Sequence, residues 1–330
     1  MEFIKYFNQL SEYTSNKDNF EYPTVSYVEE NKEVYYKEKP RIVTYTTTGG
    51  SQSIKLVDRK QYLDYCKILD TGEQLPITGT GALNHTFENP GEHQVELKFK
   101  DDVTTLTSGF AGCSQLTSIP ENLFSNNTAV TSFNSTFEYC TGLTSIPESL
   151  FISNTAVTNF NSTFSGCSQL TSIPENLFSN NKAVTNFSST FYGCSGLTNI
   201  PENLFKYNTA VTNFSFAFNS CSGLTSIPEN LFSNNTEVTS FTSTFYDCSG
   251  LTGSIPENLF SNNTAVTDFS ATFNDCTGLT GTVPVDNDGT PIYNRSDEGK
   301  NGYAVVTNYG WCFGNCTGLT DYSSIPSGWK

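Results

Sequence analysis

One methionine, two tryptophans and two histidines are scattered through 330 residues, basic side chains number 17 against 33 acidic ones, and no run of eighteen apolar residues occurs. Each shortage closes off a class of function. Without a long apolar run, no segment is expected to cross a bilayer as a helix. A net charge of −16 removes the attraction that nucleic acids and anionic membranes require, and the deficit deepens along the chain: residues 1–109 hold 17 acids and 12 bases, residues 110–330 hold 16 and 5. His85 and His93 have no catalytic group at a recognised spacing and read as polar residues of a β domain. The expectation is a non-enzymatic chain with no catalytic residue, no cofactor and no metal site. The opening MEFIKYFNQLSEYTSNKDNF has none of the basic start, apolar run and small-residue cleavage site of a secretory leader. It is read as the start of a soluble product not exported by the usual route, with a mature form whose leader has been removed as the alternative.

What is plentiful is Phe (26), Tyr (17) and Cys (10). This is the composition of a folded, aromatic-rich chain rather than a disordered one. Seven cysteines, Cys113, Cys140, Cys167, Cys194, Cys221, Cys248 and Cys276, are spaced by 27 residues five times and by 28 once, the extra residue being Gly253. They belong to a unit that starts at Phe110 and reads F-x-x-C-[ST]-x-L-T-x-I-P-E-x-L-F-x-x-N-x-x-V-T-x-F. Two extended stretches, LTSI and VTSF, alternate with two turn-like ones, PENLFSNNT and NSTFxGCS. Pro120 and its copies suit the first position of a helical turn, which would put the row Glu121, Glu148, Glu175, Glu202, Glu229 and Glu257 at helix starts. A lone unit has too little core to offset the entropy of ordering it, so neighbours must share faces. The predicted interior contains Phe133, Phe160, Phe187, Phe214, Phe241 and Phe269, together with the cysteines as far as Cys316. Stacked rungs would bring successive cysteines within roughly 4.8 Å, so bridges are not forbidden by distance. The spacing is nevertheless unlike a zinc site, and buried free thiols are the favoured reading. For Cys312 and Cys316 a bridge or a metal is left open.

FYGCSGLTNIPENLFKYNTAVTNF, residues 191–214, resembles the repeats of BspA-like (treponemal-type) leucine-rich-repeat proteins. The likeness extends over about residues 103–284 and a final fragment. It implies a mainly β solenoid of leucine-rich-repeat type, with 27-residue repeats and short helical turns, and extracellular binding of a protein or glycan. A small β-sandwich-like domain is expected before it, from the strand-like KEVYYKEK, RIVTYTTT, SIKLV and HQVELKF. The segment YPTVSYVEENKEVYYKEK resembles the opening of structural proteins from phages that infect gut Bacteroidetes.

The domain plan that follows is an arm or docking segment at 1–39, with an amphipathic helix at 2–13, then a β-sandwich-like domain at 40–101 and a solenoid at 102–284. An inserted loop at 285–310 and a C-terminal cap at 311–330 complete it. The insertion adds thirteen residues to the rhythm, and because the repeats are nearly identical it is the expected place for a specific contact. Its candidate binding residues are Asp286, Asp288, Tyr293, Arg295, Tyr303, Tyr309 and Trp311. Asp286, Asp288 and Asp297 resemble part of a calcium loop but lack its later bidentate Glu. Trp311 and Trp329 are expected to cover the last rung. The functional expectation is a virion-associated head-fibre, decoration or tail protein on a virion surface. Its N-terminal region docks to another protein of the assembly, its solenoid meets a host glycan or protein, and a homo-oligomer is compatible. A secreted or cell-surface bacterial adhesin, or a purely structural decoration, are the alternatives.

Overall fold

The computed structural model describes residues 4–6, 35–37, 39–295 and 302–330. Ile4–Tyr6 forms β1, antiparallel to β2 (Tyr35–Lys37) in the register Ile4↔Lys37 to Tyr6↔Tyr35. The amphipathic helix expected at 2–13 is therefore not formed at Ile4–Tyr6; this aromatic and β-branched stretch favours a pleated pairing. The rest of the 1–38 segment lies outside the described residues.

β3 (Ile42–Thr47), β5 (Leu63–Ile68), β7 (Gly91–Phe99) and β8 (Leu116–Ser118) make one antiparallel sheet in the order β5-β7-β3-β8. β4 (Gln52–Val57) and β6 (Leu83–Phe87) pair separately. Alternation decides which faces meet: Val43 and Tyr45 of β3, Ile54 and Leu56 of β4, and Val95, Leu97 and Phe99 of β7 are all buried. The Tyr45 hydroxyl, carried into this core, donates to the Leu56 carbonyl at 2.5 Å. The fourth strand, β8, comes from the first repeat, through Thr44↔Ser118 and Tyr45↔Leu116. Apolar packing continues across the join, with the Phe99 ring 5.9 Å from Phe110 and 5.5 Å from Phe124.

From there the 27-residue units lie side by side. Parallel bridges run Thr105↔Ser132↔Asn159↔Asn186↔Asn213↔Ser240↔Asp268↔Asn308, one per unit. Phe133 stacks on Phe160 at 5.7 Å and Phe137 on Phe164 at 5.5 Å, with ring planes 5° and 4° apart, and the rows continue rung after rung. Regular strands are few and short within the repeats: after β8, only β9 (Gly253–Ser254) and β10 (Leu279–Thr280) pair, in parallel. The whole is mainly β, with small sheets and no α-helix among the described residues.

The turns differ from expectation. In Pro120–Asn127 the bonds are Leu123 N to Pro120 O, Ser125 N to Asn122 O and Asn127 N to Phe124 O, each closing over three residues and skipping every other amide. That is a run of linked turns and not a helix, so no aligned dipole favours the glutamates. Three of them are held by the next rung instead: Asn176 Nδ2 donates to Glu148 at 2.7 Å, Asn203 to Glu175 at 2.6 Å and Asn230 to Glu202 at 2.7 Å.

The other turn is stranger. Two residues of each rung carry positive φ: one row is Ser108, Ser135, Ser162, Ser189, Phe216, Ser243, Ala271 and Trp311, the other Gly112, Tyr139, Gly166, Gly193, Ser220, Asp247, Asp275 and Asn315. Left-handed residues four apart bound this turn, and every second amide in it points along the stack. Phe133, Ser135, Phe137 and Tyr139 accordingly donate to the carbonyls of Asn159, Asn161, Thr163 and Ser165 in the next rung, at 2.7–3.0 Å.

Candidate functional site

Three interior side-chain ladders tie each rung to the one before it. Asn154 Nδ2 donates to the Phe124 and Asn127 carbonyls at 3.1 and 2.9 Å, and Asn181, Asn208, Asn235 and Asn263 repeat the pattern. Thr163 Oγ1 meets the Phe133 carbonyl at 3.0 Å, with Thr136, Thr190, Thr244 and Thr272 placed likewise. The thiols form the third ladder: Cys140 Sγ donates to the Phe110 carbonyl at 3.2 Å, Cys167 to Phe137, Cys194 to Phe164, and so on to Cys316 on Phe273 at 3.0 Å. Cys113 begins the row on the Leu56 carbonyl of the N-terminal domain.

All ten cysteines are free and buried. Burial pushes the thiols of Cys66, Cys167, Cys221 and Cys316 up to about 12, and Cys113, Cys140, Cys194, Cys248, Cys276 and Cys312 are raised for the same main reason. A thiol held protonated at neutral pH is neither a ready nucleophile nor a metal ligand. Cys312 and Cys316, for which a bridge or a metal was left open, both carry free thiols. Cys312 occupies the position that Thr136 and its copies hold in other rungs, and Cys316 continues the cysteine row.

The inserted segment closes the far end of the stack. Asp286, Arg295 and Tyr303 are buried. The Arg295 guanidinium donates to the Asp286 carboxylate and to the carbonyls of Phe260 at 2.8 Å and Asn263 at 3.3 Å. Those are the two carbonyls that the asparagine of a further regular rung would serve, so Arg295 supplies the donors that the interrupted ladder lacks. Its carbon Cζ lies 4.3 Å from the centre of the Tyr303 ring, whose hydroxyl donates to Ser261 O. Burial raises the Asp286 carboxyl above its ordinary range, with Arg295 opposing. Tyr293 is partly buried against the core, and Tyr309 stacks on Trp329 at 4.9 Å.

Trp329 seals the phenylalanine rows, 6.3 Å from Phe269 and 6.4 Å from Phe313, and its carbonyl accepts the Phe313 amide. Trp311 does not share that task, because its left-handed backbone turns it outward and leaves it 63% exposed. Asp288 is exposed and accepts from the Thr290 amide; Asp297 lies outside the described residues. The candidate binding residues thus divide into the buried Asp286, Arg295 and Tyr303, the partly buried Tyr293 and Tyr309, and the exposed Asp288 and Trp311.

In the N-terminal domain, His93 Nδ1 lies 2.5 Å from Asp70 and Nε2 3.0 Å from Thr47 Oγ1. The order of groups resembles nucleophile, base and orienting acid. Thr47 is buried, however, and its hydroxyl donates to the Asn89 carbonyl, so no nucleophile faces solvent. The trio ties the ends of β3 and β7 to the turn after β5.

The outer edge formed by the left-handed turns carries what the sequence reading passed over. Tyr139, Tyr192, Phe216 and Trp311 are exposed there, and Tyr246 lies partly exposed with them. The signal was a departure from the repeat: aromatic residues at positions that are Ser, Gly or Asn in neighbouring rungs.

Residues 158–284 match a family described as "Mycoplasma protein of unknown function, DUF285". The match spans less than half of the chain and supports a repeat of the BspA-like kind. No curated protein matches the sequence. Among solved structures, a chain of the "Crystal structure of TLR13-ssRNA13 complex" aligns at 13% identity with a TM-score of 0.14, over 62% of this chain and 41% of that one. A likeness that slight carries no argument. The fold is that of a mainly β chain of stacked repeats, similar over residues 158–284 to the DUF285 family.

Proposed function

We propose that the chain is a non-enzymatic recognition protein, a leucine-rich-repeat-type solenoid that is held on a larger assembly by its N-terminal region and offers a flank to a host-surface glycan or protein. One observation carries the reading. The thiols of the stack are sealed inside and committed to joining rungs, while aromatic side chains stand exposed along the edge of its left-handed turns. The likeness of YPTVSYVEENKEVYYKEK to structural proteins of gut-Bacteroidetes phages supports a virion as the assembly. Quantitative mass spectrometry of purified virions, set against bacterial outer-surface fractions, tests this. Recovery with virions is expected, and deletion of residues 1–39 is expected to abolish incorporation while leaving the circular dichroism of the repeats intact.

A second reading, a bacterial cell-surface or secreted adhesin, is favoured by the family match over 158–284. Recovery in the bacterial surface fraction alone would establish it at the expense of the first.

A further inference from the structure

We infer that the edge of left-handed turns between Tyr139 and Trp311 is a binding strip for a neutral, linear oligosaccharide; this deepens the recognition reading above and rests on it. Aromatic faces come first. Tyr139 is 55% exposed, Tyr192 and Phe216 38% each, and Trp311 63%. Tyr139, Phe216 and Trp311 sit at left-handed positions of the turn, and Tyr192 and the half-buried Tyr246 at the residue before its second one. Around them the left-handed positions carry the half-buried Ser135, Ser162, Ser189 and Ser220 and the exposed Asn315. Rigid aromatic planes set among small hydroxyl and amide groups suit a partner that has both apolar C–H faces and many hydroxyls.

Relief is the second argument. A Cβ built on Gly166 would lie 2.5 Å from Tyr139 Cδ1, so the Tyr139 ring occupies the space over Gly166. Gly193, the next in the row, has only the Gly166 backbone within 4 Å, at 3.8 and 3.9 Å. A notch floored by glycine backbone therefore opens beside the Tyr139 ring, and a sugar ring can settle close to the chain there.

Charge and backbone narrow the partner. In rungs two to seven the outward positions of this edge include no Lys or Arg, and their acids are Glu138, Asp247 and Asp275. Anionic sugars are thus disfavoured, and nothing offers an ionic anchor to a charged peptide. Strand addition by a peptide is closed as well, because the amides of Ser135, Phe137 and Tyr139 are already committed to the next rung. Recognition must come from side chains distributed over several rungs, which suits an extended polymer.

The neighbouring rungs supply substitutions that the fold already tolerates: Tyr139→Gly copies Gly166, Tyr192→Ser copies Ser165 and Phe216→Ser copies Ser189. The full chain and this triple variant would be applied to an array of neutral and sialylated oligosaccharides and to intact host cells, with Glu175→Gln/Glu202→Gln as a control on the opposite row. The expected result is retention of neutral linear glycans by the parent and the control, and at least tenfold weaker retention by the triple variant. Equal retention by the triple variant, or parental binding confined to sialylated glycans, overturns the proposal. Binding to cells without any glycan retained overturns it too and leaves the recognition reading standing, whereas a parental chain that binds neither defeats both.

Discussion

The two ends of the stack are closed by different chemistry, and the difference follows from the direction in which the rungs donate. Interior side chains point their hydrogens toward the N-terminus. The first rung therefore needs acceptors, and the N-terminal domain gives it carbonyls: Leu56 O receives the Cys113 thiol and Lys100 O the Asn127 amide. The last regular rung has the reverse need, since the Phe260 and Asn263 carbonyls have no further asparagine to serve them. An arginine meets it, folded back from the insertion with Asp286 to balance its charge. Two small antiparallel sheets between Ile42 and Phe99 cover one end; one guanidinium and one indole do much of the work at the other.

The largest expected effect separates the stack from the N-terminal sheets. Nine buried thiols lie in the stack, from Cys113 to Cys316, and one, Cys66, in the sheets. A thiol ionises near 9 in the unfolded chain, while Cys167, Cys221 and Cys316 are raised to about 12 by burial. Because the folded value lies above the unfolded one, the contribution of each thiol is complete below pH 9 and is lost as pH rises toward 12. The loss is about 1.4 kcal/mol per pH unit for each such thiol, and the stack holds nine buried thiols to one in the sheets. Circular dichroism against pH should show the repeats collapsing steeply above pH 9. In Cys140→Ala/Cys167→Ala/Cys194→Ala the slope of stability with pH should fall by about a third, and an unchanged slope would show that the thiols are not what titrates.

Next in size is the contrast between the caps. Arg295→Met strips donors from two carbonyls and leaves the Asp286 carboxylate buried alone, which should cost about 3–5 kcal/mol. Adding Asp286→Ala should restore a good part of it. Asn127→Ala at the other end leaves an unserved carbonyl and no orphaned charge, and should cost about 1–3 kcal/mol. Urea midpoints give the totals, and amide exchange of residues 260–283 against that of 105–130 shows which end opens. Equal losses from the two variants would refute the asymmetry.

The stack was legible in the sequence because its period is written in apolar residues: Phe133, Phe160 and Phe187 recur at fixed spacing and can only be buried by neighbours doing the same. The helical turns were misread because Pro120 and Glu121 suit a helix start and a linked turn equally well, and only the pairing of amides distinguishes them. The insertion was misread for a different reason. Asp286, Arg295 and Tyr303 look like a polar loop until the unserved carbonyls of Phe260 and Asn263 are known, and those depend on a ladder whose side-chain directions no spacing reveals. The aromatic edge was missed since Tyr139, Tyr192 and Phe216 fall outside the fixed positions of the repeat unit, and only the left-handed turns show that those positions face outward.

The smallest effect tests the left-handed turns, where the repeats differ most from the ordinary pleats of the N-terminal sheets. Ser220 sits at φ 56°, where Gly166 and Gly193 stand two rungs and one rung earlier at 73° and 67°. A side chain there is strained against its own carbonyl, so Ser220→Gly should stabilise the chain by about 0.5–1 kcal/mol, after the loss of the Ser220 hydroxyl's bond to Asn219. Gly193→Ala should destabilise by a similar amount for the converse reason. The same change at Ser179, which lies in a linked turn without positive φ, brings only added freedom to the unfolded chain and should cost about 0.5–1 kcal/mol. Opposite signs for one substitution at two serines of one stack, read from urea midpoints, would fix the cause in backbone handedness, while equal signs would assign it to glycine itself.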